Sequence, residues 1–88
     1  MKIKGEYVLR EIAGEHIIVP VGKSALEMNG MITLNEVGIF IWKQLQKECS
    51  FDALLRTILE EYDTTEEQAR ADLDDFLKQM GNANLIQK

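Results

Sequence analysis

The spacing of apolar residues changes near Asn35, and this change limits what the chain can fold into. Before Asn35, short β-rich segments alternate apolar and polar residues, as half-buried strands do. After it, apolar residues recur at three- and four-residue intervals, as in amphipathic helices. Because 88 residues have room for only one hydrophobic core, residues 1–88 predict a single α+β domain with a small sheet followed by helices.

Three strands are predicted in the first part. Residues 7–12 and 16–19 form a β-hairpin around a turn at residues 13–15. Pro20 ends the second strand or places it at a sheet edge, because proline has no N–H to donate. Residues 22–24 predict a loop. The pair Asn29 and Gly30 is the strongest short turn signal, and a third strand follows at residues 31–34.

Three side chains are suited to cap helix N-termini: Asn35, Ser50 and Thr65. Thr65 is followed three residues later by Gln68, which predicts a capping box. Gly81 or Asn84 can take the left-handed conformation that closes the third helix. The order is therefore a three-stranded antiparallel sheet followed by three helices, which resembles a winged helix-turn-helix.

The first and third helices carry different apolar patterns. In the first, Ile39 and Trp42 fall outside the stripe formed by its other apolar residues, Val37, Phe40, Ile41 and Leu45. That helix is either central and packed on two sides, or it exposes an apolar patch. In the third, a buried stripe is predicted at Ala69, Leu73, Phe76, Leu77 and Met80, and a solvent-side ladder of alternating charge at Glu66, Arg70, Asp74 and Lys78.

The chain offers few groups for catalysis. Cys49 is the single cysteine and His16 the single histidine, and they lie in different predicted elements. A disulfide within the chain, a zinc set and a nucleophile with its base are therefore not expected. The sequence predicts a protein that is not an enzyme and binds no metal or cofactor. No apolar run approaches the roughly 20 residues that span a bilayer, and the start shows no signal-peptide pattern, so a cytoplasmic protein without membrane contact is expected.

Charge argues against nucleic acid as the partner. The third predicted helix, which would enter the major groove of DNA in a winged helix, has five acidic and two basic residues between positions 65 and 80. Phosphate neutralisation by Lys and Arg supplies most non-specific affinity for DNA, and an acidic helix lacks it. Strand addition is the other use of this architecture. A third strand with a free edge can accept an extended peptide, although such a strand can also be a core strand whose edge is covered.

Several segments resemble the PqqD-like family of peptide recognition elements. TLNEVG at residues 33–38, followed by IFIW at 39–42, is similar to the start of the family's first helix. LEEYD at residues 59–63, ARADL at 69–73 and NLI at 84–86 are similar to later family segments, with Asn84 where the family usually has glycine. The resemblance covers about residues 7–87.

The resemblance implies a non-catalytic peptide chaperone. Such a domain binds the leader of a ribosomally synthesised precursor peptide along its third strand and presents the peptide to a modifying enzyme, often a radical S-adenosylmethionine (radical SAM) maturase. Carried over by position, the peptide-binding residues would be Met31, Ile32, Thr33 and Leu34 on the strand, with Arg70, Leu73, Asp74 and Leu77 as the helix wall. On the pattern alone, Arg70 and Asp74 also fit the solvated ladder, and Leu73 and Leu77 also fit the core.

An alternative remains open at this point. The domain could be a winged-helix protein-interaction or transcription-regulatory module that binds no leader peptide. In that case Trp42 and Ile39 would form an exposed patch for a partner protein or for a second copy in a homodimer.

Overall fold

A computed structural model describes residues 1–26 and 32–87. The predicted turn at Asn29 and Gly30, and Met31 of the predicted third strand, lie outside these residues. In chain order the elements are β1 (Lys2–Ile3), β2 (Tyr7–Ile12), β3 (Glu15–Pro20), a short 3₁₀ helix (Gly22–Leu26), β4 (Ile32–Leu34), α1 (Glu36–Gln44), α2 (Phe51–Glu61), α3 (Glu66–Asn82) and β5 (Ile86–Gln87). The 3₁₀ helix replaces the loop predicted at residues 22–24.

The predicted sheet is confirmed. Strands β2, β3 and β4 form an antiparallel sheet in that order, with β3 in the middle. The turn of the β2–β3 hairpin consists of Ala13 and Gly14, which have φ values of 54° and 82°. Positive φ at both positions is typical of a type I′ turn, whose twist matches that of the flanking strands. The α+β class predicted from the sequence is correct.

The structure also contains a two-stranded sheet that was not predicted from the sequence. Strand β1 pairs antiparallel with β5, with Ile3 opposite Ile86. The Ile3 N–H also donates to the Leu45 carbonyl at 3.0 Å, and the Lys4 N–H donates to the Leu85 carbonyl at 2.7 Å. Strands of two residues are too short to show an alternating pattern, so the sequence could not reveal this pairing.

The three predicted N-caps are confirmed. The side chains of Asn35, Ser50 and Thr65 each accept a hydrogen bond from the backbone N–H three residues later. The capping box at Thr65 is only half formed, because the Gln68 side chain donates to an Asp72 carboxylate oxygen at 2.9 Å instead of turning back to the cap.

The sequence left open whether Gly81 or Asn84 takes the left-handed conformation after α3, and the structure shows that it is Asn84. Asn84 has a φ of 63°, whereas Gly81 lies inside α3. Asparagine tolerates this left-handed conformation better than most residues do. The Leu85 N–H then donates to the Met80 carbonyl at 2.8 Å, which turns the chain back toward β1.

Helix α1 lies at the centre of the core. Trp42 is only 4% exposed, and its ring meets Tyr7 of β2 edge-on with 6.2 Å between ring centroids. On the other side α1 contacts α2 and α3. The buried core is built from Ile18, Ile32, Leu34, Ile41, Trp42, Leu45, Leu54, Leu55, Ile58, Ala69, Leu73, Phe76, Met80 and Leu85. Of the two alternatives for α1, the structure therefore supports the central helix packed on two sides.

The hairpin turn gives a test of the fold. Ala13 has a Cβ in the left-handed region, which costs roughly 1–2 kcal/mol, and Asn followed by Gly is the favoured pair for a type I′ turn. We expect Ala13→Asn to raise the free energy of unfolding by about 0.5–1 kcal/mol. Ala13→Val should lower it, because a β-branched residue fits positive φ poorly. Urea denaturation would measure both changes, and equal midpoints for the two variants would contradict the assigned turn.

Candidate functional site

Strand β4 forms one edge of the three-stranded sheet. It pairs with β3 on one side, and within residues 1–26 and 32–87 no strand pairs with its other side. An unpaired edge presents backbone N–H and C=O groups that can bond another strand. The other edge belongs to β2, which is likewise paired only with β3 in the part of the chain that the structure describes.

The hairpin fixes which backbone groups face each edge. In an antiparallel pair, residues that bond the neighbouring strand alternate with residues whose N–H and C=O groups point away from it. Ile12 and Glu15 close a two-residue turn and so form a bonded pair. The Val21 N–H donates to the Glu6 carbonyl at 2.9 Å, in step with this alternation. The odd-numbered residues of β3 therefore bond β2, and its even-numbered residues face β4.

As a consequence, Thr33 directs its backbone groups toward the free edge. In the register of β3 and β4, His16 is opposite Leu34 and Ile18 is opposite Ile32. Because His16 and Ile18 are even-numbered, these are the bonded pairs. Thr33 lies between them, so its N–H and C=O point away from β3. Ile32 and Leu34 are buried against the core, whereas Thr33 is exposed.

A groove separates this edge from α3. Its volume is about 130 Å³, and it is lined by Thr33, Leu34, Asn35, Val37, Gly38, Asp72, Asp75, Phe76 and Gln79. The lining residues come from β4, the start of α1 and one face of α3. The groove therefore lies directly beside the backbone groups that Thr33 leaves unpaired.

Glycine at position 38 lets α1 begin close to the strand. A Cβ at this position would lie 3.2 Å from the Asn35 side-chain oxygen and 3.4 Å from Leu34 Cδ2. The same Asn35 oxygen accepts the Gly38 N–H at 2.8 Å. The cap and the glycine together fix the end of the groove where β4 passes into α1.

The four helix residues predicted for peptide binding do not line the groove. Leu73 is fully buried, and Leu77 is half-buried against the core. The Arg70 guanidinium lies 5.7 Å from the centre of the Phe51 ring, on the side of α3 that faces α2. Asp74 is two residues from Asp72 and so lies roughly 200° around the helix from it. Their assignment as the helix wall stays a prediction, and none of the four is among the residues that line this groove.

The sequence did contain a signal for the residues that line the groove. Asp72, Asp75 and Gln79 are spaced by three and four residues, which places them on one helix face. They flank Phe76, whose side chain is buried. The prediction instead took Arg70, Leu73, Asp74 and Leu77 by position from the family resemblance. In the charge ladder predicted at positions 66, 70, 74 and 78, Glu66 and Arg70 form an ion pair at 3.9 Å.

A second depression lies between α2 and α3. It has a volume of about 260 Å³ and is lined by Asp52, Leu55, Arg56, Leu59, Glu66 and Arg70. It is shallow, and no strand edge contributes to it. Arg70, predicted as part of the helix wall, therefore lines this depression and not the groove beside β4.

Two titratable residues singled out from the sequence, Cys49 and His16, have polar neighbours. Cys49 is half-buried and donates its Sγ–H to the Gln44 carbonyl at 3.3 Å. His16 lies in β3, 3.9 Å from a Glu11 carboxylate oxygen. Partial burial raises the pKa of Tyr62 above its ordinary value, and the Glu36 and Glu61 carboxylates add to the shift. Within the described residues, no three His, Cys, Asp or Glu side chains are grouped as a metal site.

The exposed patch proposed around Trp42 and Ile39 is not present. Trp42 is buried and Ile39 is partly buried against the core, so the structure does not support this alternative. Trp42 and Ile39 lie outside the main apolar stripe of α1 because the helix packs on two sides, as the other alternative stated. Among the residues whose exposure the structure describes, the most exposed large apolar ones are Ile12 and Val21, at 52% and 37%, on the hairpin and just after it.

Comparison with known proteins agrees with this geometry. The sequence model of the family described as Coenzyme PQQ synthesis protein D (PqqD) matches residues 6–86, nearly the whole chain. The chain belongs to the PqqD family. The resemblance noted from the TLNEVG segment and the later segments is thereby confirmed.

A solved structure resembles this PqqD-family chain over almost its full length. It is described as "TbiB1 in Complex with the TbiA(beta) Leader Peptide", and it is 26% identical with a TM-score of 0.71. The similarity covers 97% of this chain and 93% of that one. No curated protein matches the chain significantly. Among the described residues of this PqqD-family chain, none of the helices has the length and apolar character to cross a membrane.

Burial of Trp42 leads to a prediction. We expect Trp42→Ala to lower the free energy of unfolding by about 3–5 kcal/mol, because it removes a large core side chain and leaves a cavity. Trp42→Phe should cost less, and Ile12→Ala should cost little because Ile12 is half exposed. Urea denaturation measures all three. A Trp42→Ala variant as stable as the parent protein would mean that this ring does not lie in the core.

Proposed function

We propose that this PqqD-family protein binds the leader of a ribosomally synthesised precursor peptide as an additional strand on β4 and presents the peptide to a modifying enzyme. The observation that carries the proposal is the Thr33 backbone, whose N–H and C=O face a free edge beside a groove. Extended peptides bind such edges through main-chain hydrogen bonds and through pockets for alternate side chains. The similarity to TbiB1, described in complex with a leader peptide, supports this function.

The edge of β4 is better suited to a peptide than the edge of β2. Both edges are free of other strands in the described residues, and the groove described above lies beside β4. A strand added to β4 would place every second side chain between the sheet and α3. A strand added to β2 would gain backbone bonds without such a groove, and would therefore be less selective.

The proposed peptide-binding residues are revised from the sequence prediction. Ile32, Thr33 and Leu34 remain as the strand, with Thr33 making the backbone bonds. On the helix, Asp72, Asp75 and Gln79 take the place of the residues first expected there. Met31 stays a prediction, since it lies outside the described residues.

The remaining parts of the role rest on the family. We propose that the domain acts without catalysis or cofactor in the cytoplasm, where ribosomal precursors are made. The enzyme it serves would be a radical SAM maturase, as the resemblance implies. The acidic face of α3 disfavours nucleic acid as a partner, because phosphate contacts require basic side chains.

Titration of isotope-labelled protein with the leader of a precursor encoded beside its gene tests the binding mode. We expect amide shifts concentrated at residues 32–34 and on the groove face of α3, at residues 72, 75, 76 and 79. Arg70, on the opposite side of α3, serves as the internal control and should shift little. Shifts confined to the α2 side of α3 would contradict strand addition at β4.

Two variants of Thr33 separate the backbone from the side chain. Thr33→Pro removes the outward N–H without breaking a bond to β3, so we expect leader affinity to fall about tenfold, which corresponds to the loss of one hydrogen bond. Thr33→Val keeps the N–H and should bind nearly as well as the parent protein. Isothermal titration calorimetry measures both affinities, and thermal unfolding confirms that each variant is folded. Equal affinities for the two folded variants would count against the proposal.

A further inference from the structure

The groove between β4 and α3 is acidic and has no cation of its own. Two of its lining residues, Asp72 and Asp75, carry carboxylates, and none of the lining residues is Lys or Arg. We propose that the bound peptide places a Lys or Arg side chain in this groove, against Asp72 and Asp75. The inference rests on the proposed strand addition at β4 and specifies which peptides that site selects.

The helix geometry brings the two carboxylates to the same place. Positions three apart on a helix are about 60° apart around the axis and about 4.5 Å apart along it. Asp72 and Asp75 therefore share the face of α3 that looks toward β4. Arg70 lies roughly 160° around the helix from Asp72, whereas Lys78 lies roughly 120° from Asp72 and about 60° from Asp75. Neither basic residue is among those that line the groove, and within the described residues Lys78 forms no ion pair with Asp75.

Other charges near the groove do not reverse its sign. The start of α1 borders it, and a helix N-terminus carries about half a positive charge. Glu36 in the first turn of α1 opposes that partial charge, and the Asn35 side chain already accepts the Gly38 N–H. Two full carboxylate charges therefore outweigh the helix dipole, and the groove attracts cations.

Asp72 retains the capacity to bind a cation. One of its oxygens accepts a hydrogen bond from the Gln68 side chain at 2.9 Å. A carboxylate has about four lone-pair sites, so this bond orients Asp72 without using up its capacity. Asp75 is exposed on the same face and can share the incoming ammonium or guanidinium group.

The dimensions of the groove suit a long basic side chain next to an apolar one. Residues 72–79 of α3 span about 10 Å, and side chains on one face of an added strand are roughly 7 Å apart. Two such side chains therefore face this stretch of helix. The aliphatic part of Lys or Arg can pack on Val37 while its charge reaches the carboxylates, and the second side chain lies nearer Phe76 and Gln79.

A displayed peptide library tests the charge preference. Random dodecapeptides on phage are selected against the parent protein, the Asp72→Asn/Asp75→Asn variant and the Asp74→Asn variant. We expect the parent and Asp74→Asn to enrich peptides with Lys or Arg at one fixed position of the consensus. The double variant should lose this enrichment. Asp74→Asn is the control, since it removes a carboxylate from the same helix but from the face opposite the groove.

A double-mutant cycle then measures the contact itself. For one selected peptide, replacing its consensus Lys or Arg by Gln should weaken binding to the parent protein about fivefold to tenfold, as expected for two partly exposed ion pairs. The same peptide change should have little effect on the Asp72→Asn/Asp75→Asn variant. Equal effects on both proteins would overturn the proposed contact.

The selections also distinguish the two proposals. Peptides that require the Thr33 N–H, as shown by loss of binding to Thr33→Pro, but show no basic consensus would refute the charge preference and leave strand addition intact. Peptides that bind Thr33→Pro as well as Thr33→Val would refute strand addition, and the charge inference with it. A library from which no peptide is enriched on the parent protein counts against both.

Discussion

Residues of β3 hydrogen-bond alternately to β2 and to β4, and this alternation determines which backbone groups of β4 face the free edge. Ile12 and Glu15 close the hairpin as a bonded pair, and every later pair follows from it. Pro20 fits this alternation, because its missing N–H falls on the side of β3 that does not bond β2. A slip of one residue would exchange the two faces of the strand. Thr33 would then turn its backbone toward β3, and the buried side chains of Ile32 and Leu34 would face solvent.

The distance between this edge and α3 is set by a different part of the chain. Leu73, Phe76 and Met80 pack α3 against the core, and Leu85 continues that packing after the helix ends. The bond from the Lys4 N–H to the Leu85 carbonyl ties the beginning of the described chain to the segment after α3. The small β1–β5 sheet thus anchors the segment after α3, and none of its residues lines the groove.

Much of the fold was predictable because its signals are local. The N-caps at Asn35, Ser50 and Thr65 depend on side chains within one turn of the helix, and the hairpin shows in a few alternating residues around Gly14. The β1–β5 pairing and the burial of Trp42 depend on contacts between distant segments, which spacing alone does not reveal. The strand part of the proposed site followed from sequence order and family resemblance. The part on α3 required knowing which face of the helix turns toward β4.

The orientation of α3 about its axis also explains why Arg70 and Asp74, predicted for the helix wall, are not among the residues that line the groove. Charged residues spaced by four lie on one exposed face of a helix, and in α3 that face includes Arg70, which lies near Phe51 of α2. The residues that line the groove instead include two carboxylates, Asp72 and Asp75, and no Lys or Arg. Short strands such as β4 offer few backbone bonds, and those bonds are nearly indifferent to sequence. Selectivity for one precursor must then come from side chains beside the edge, and on this domain the unneutralised charges of Asp72 and Asp75 are the groups placed to supply it.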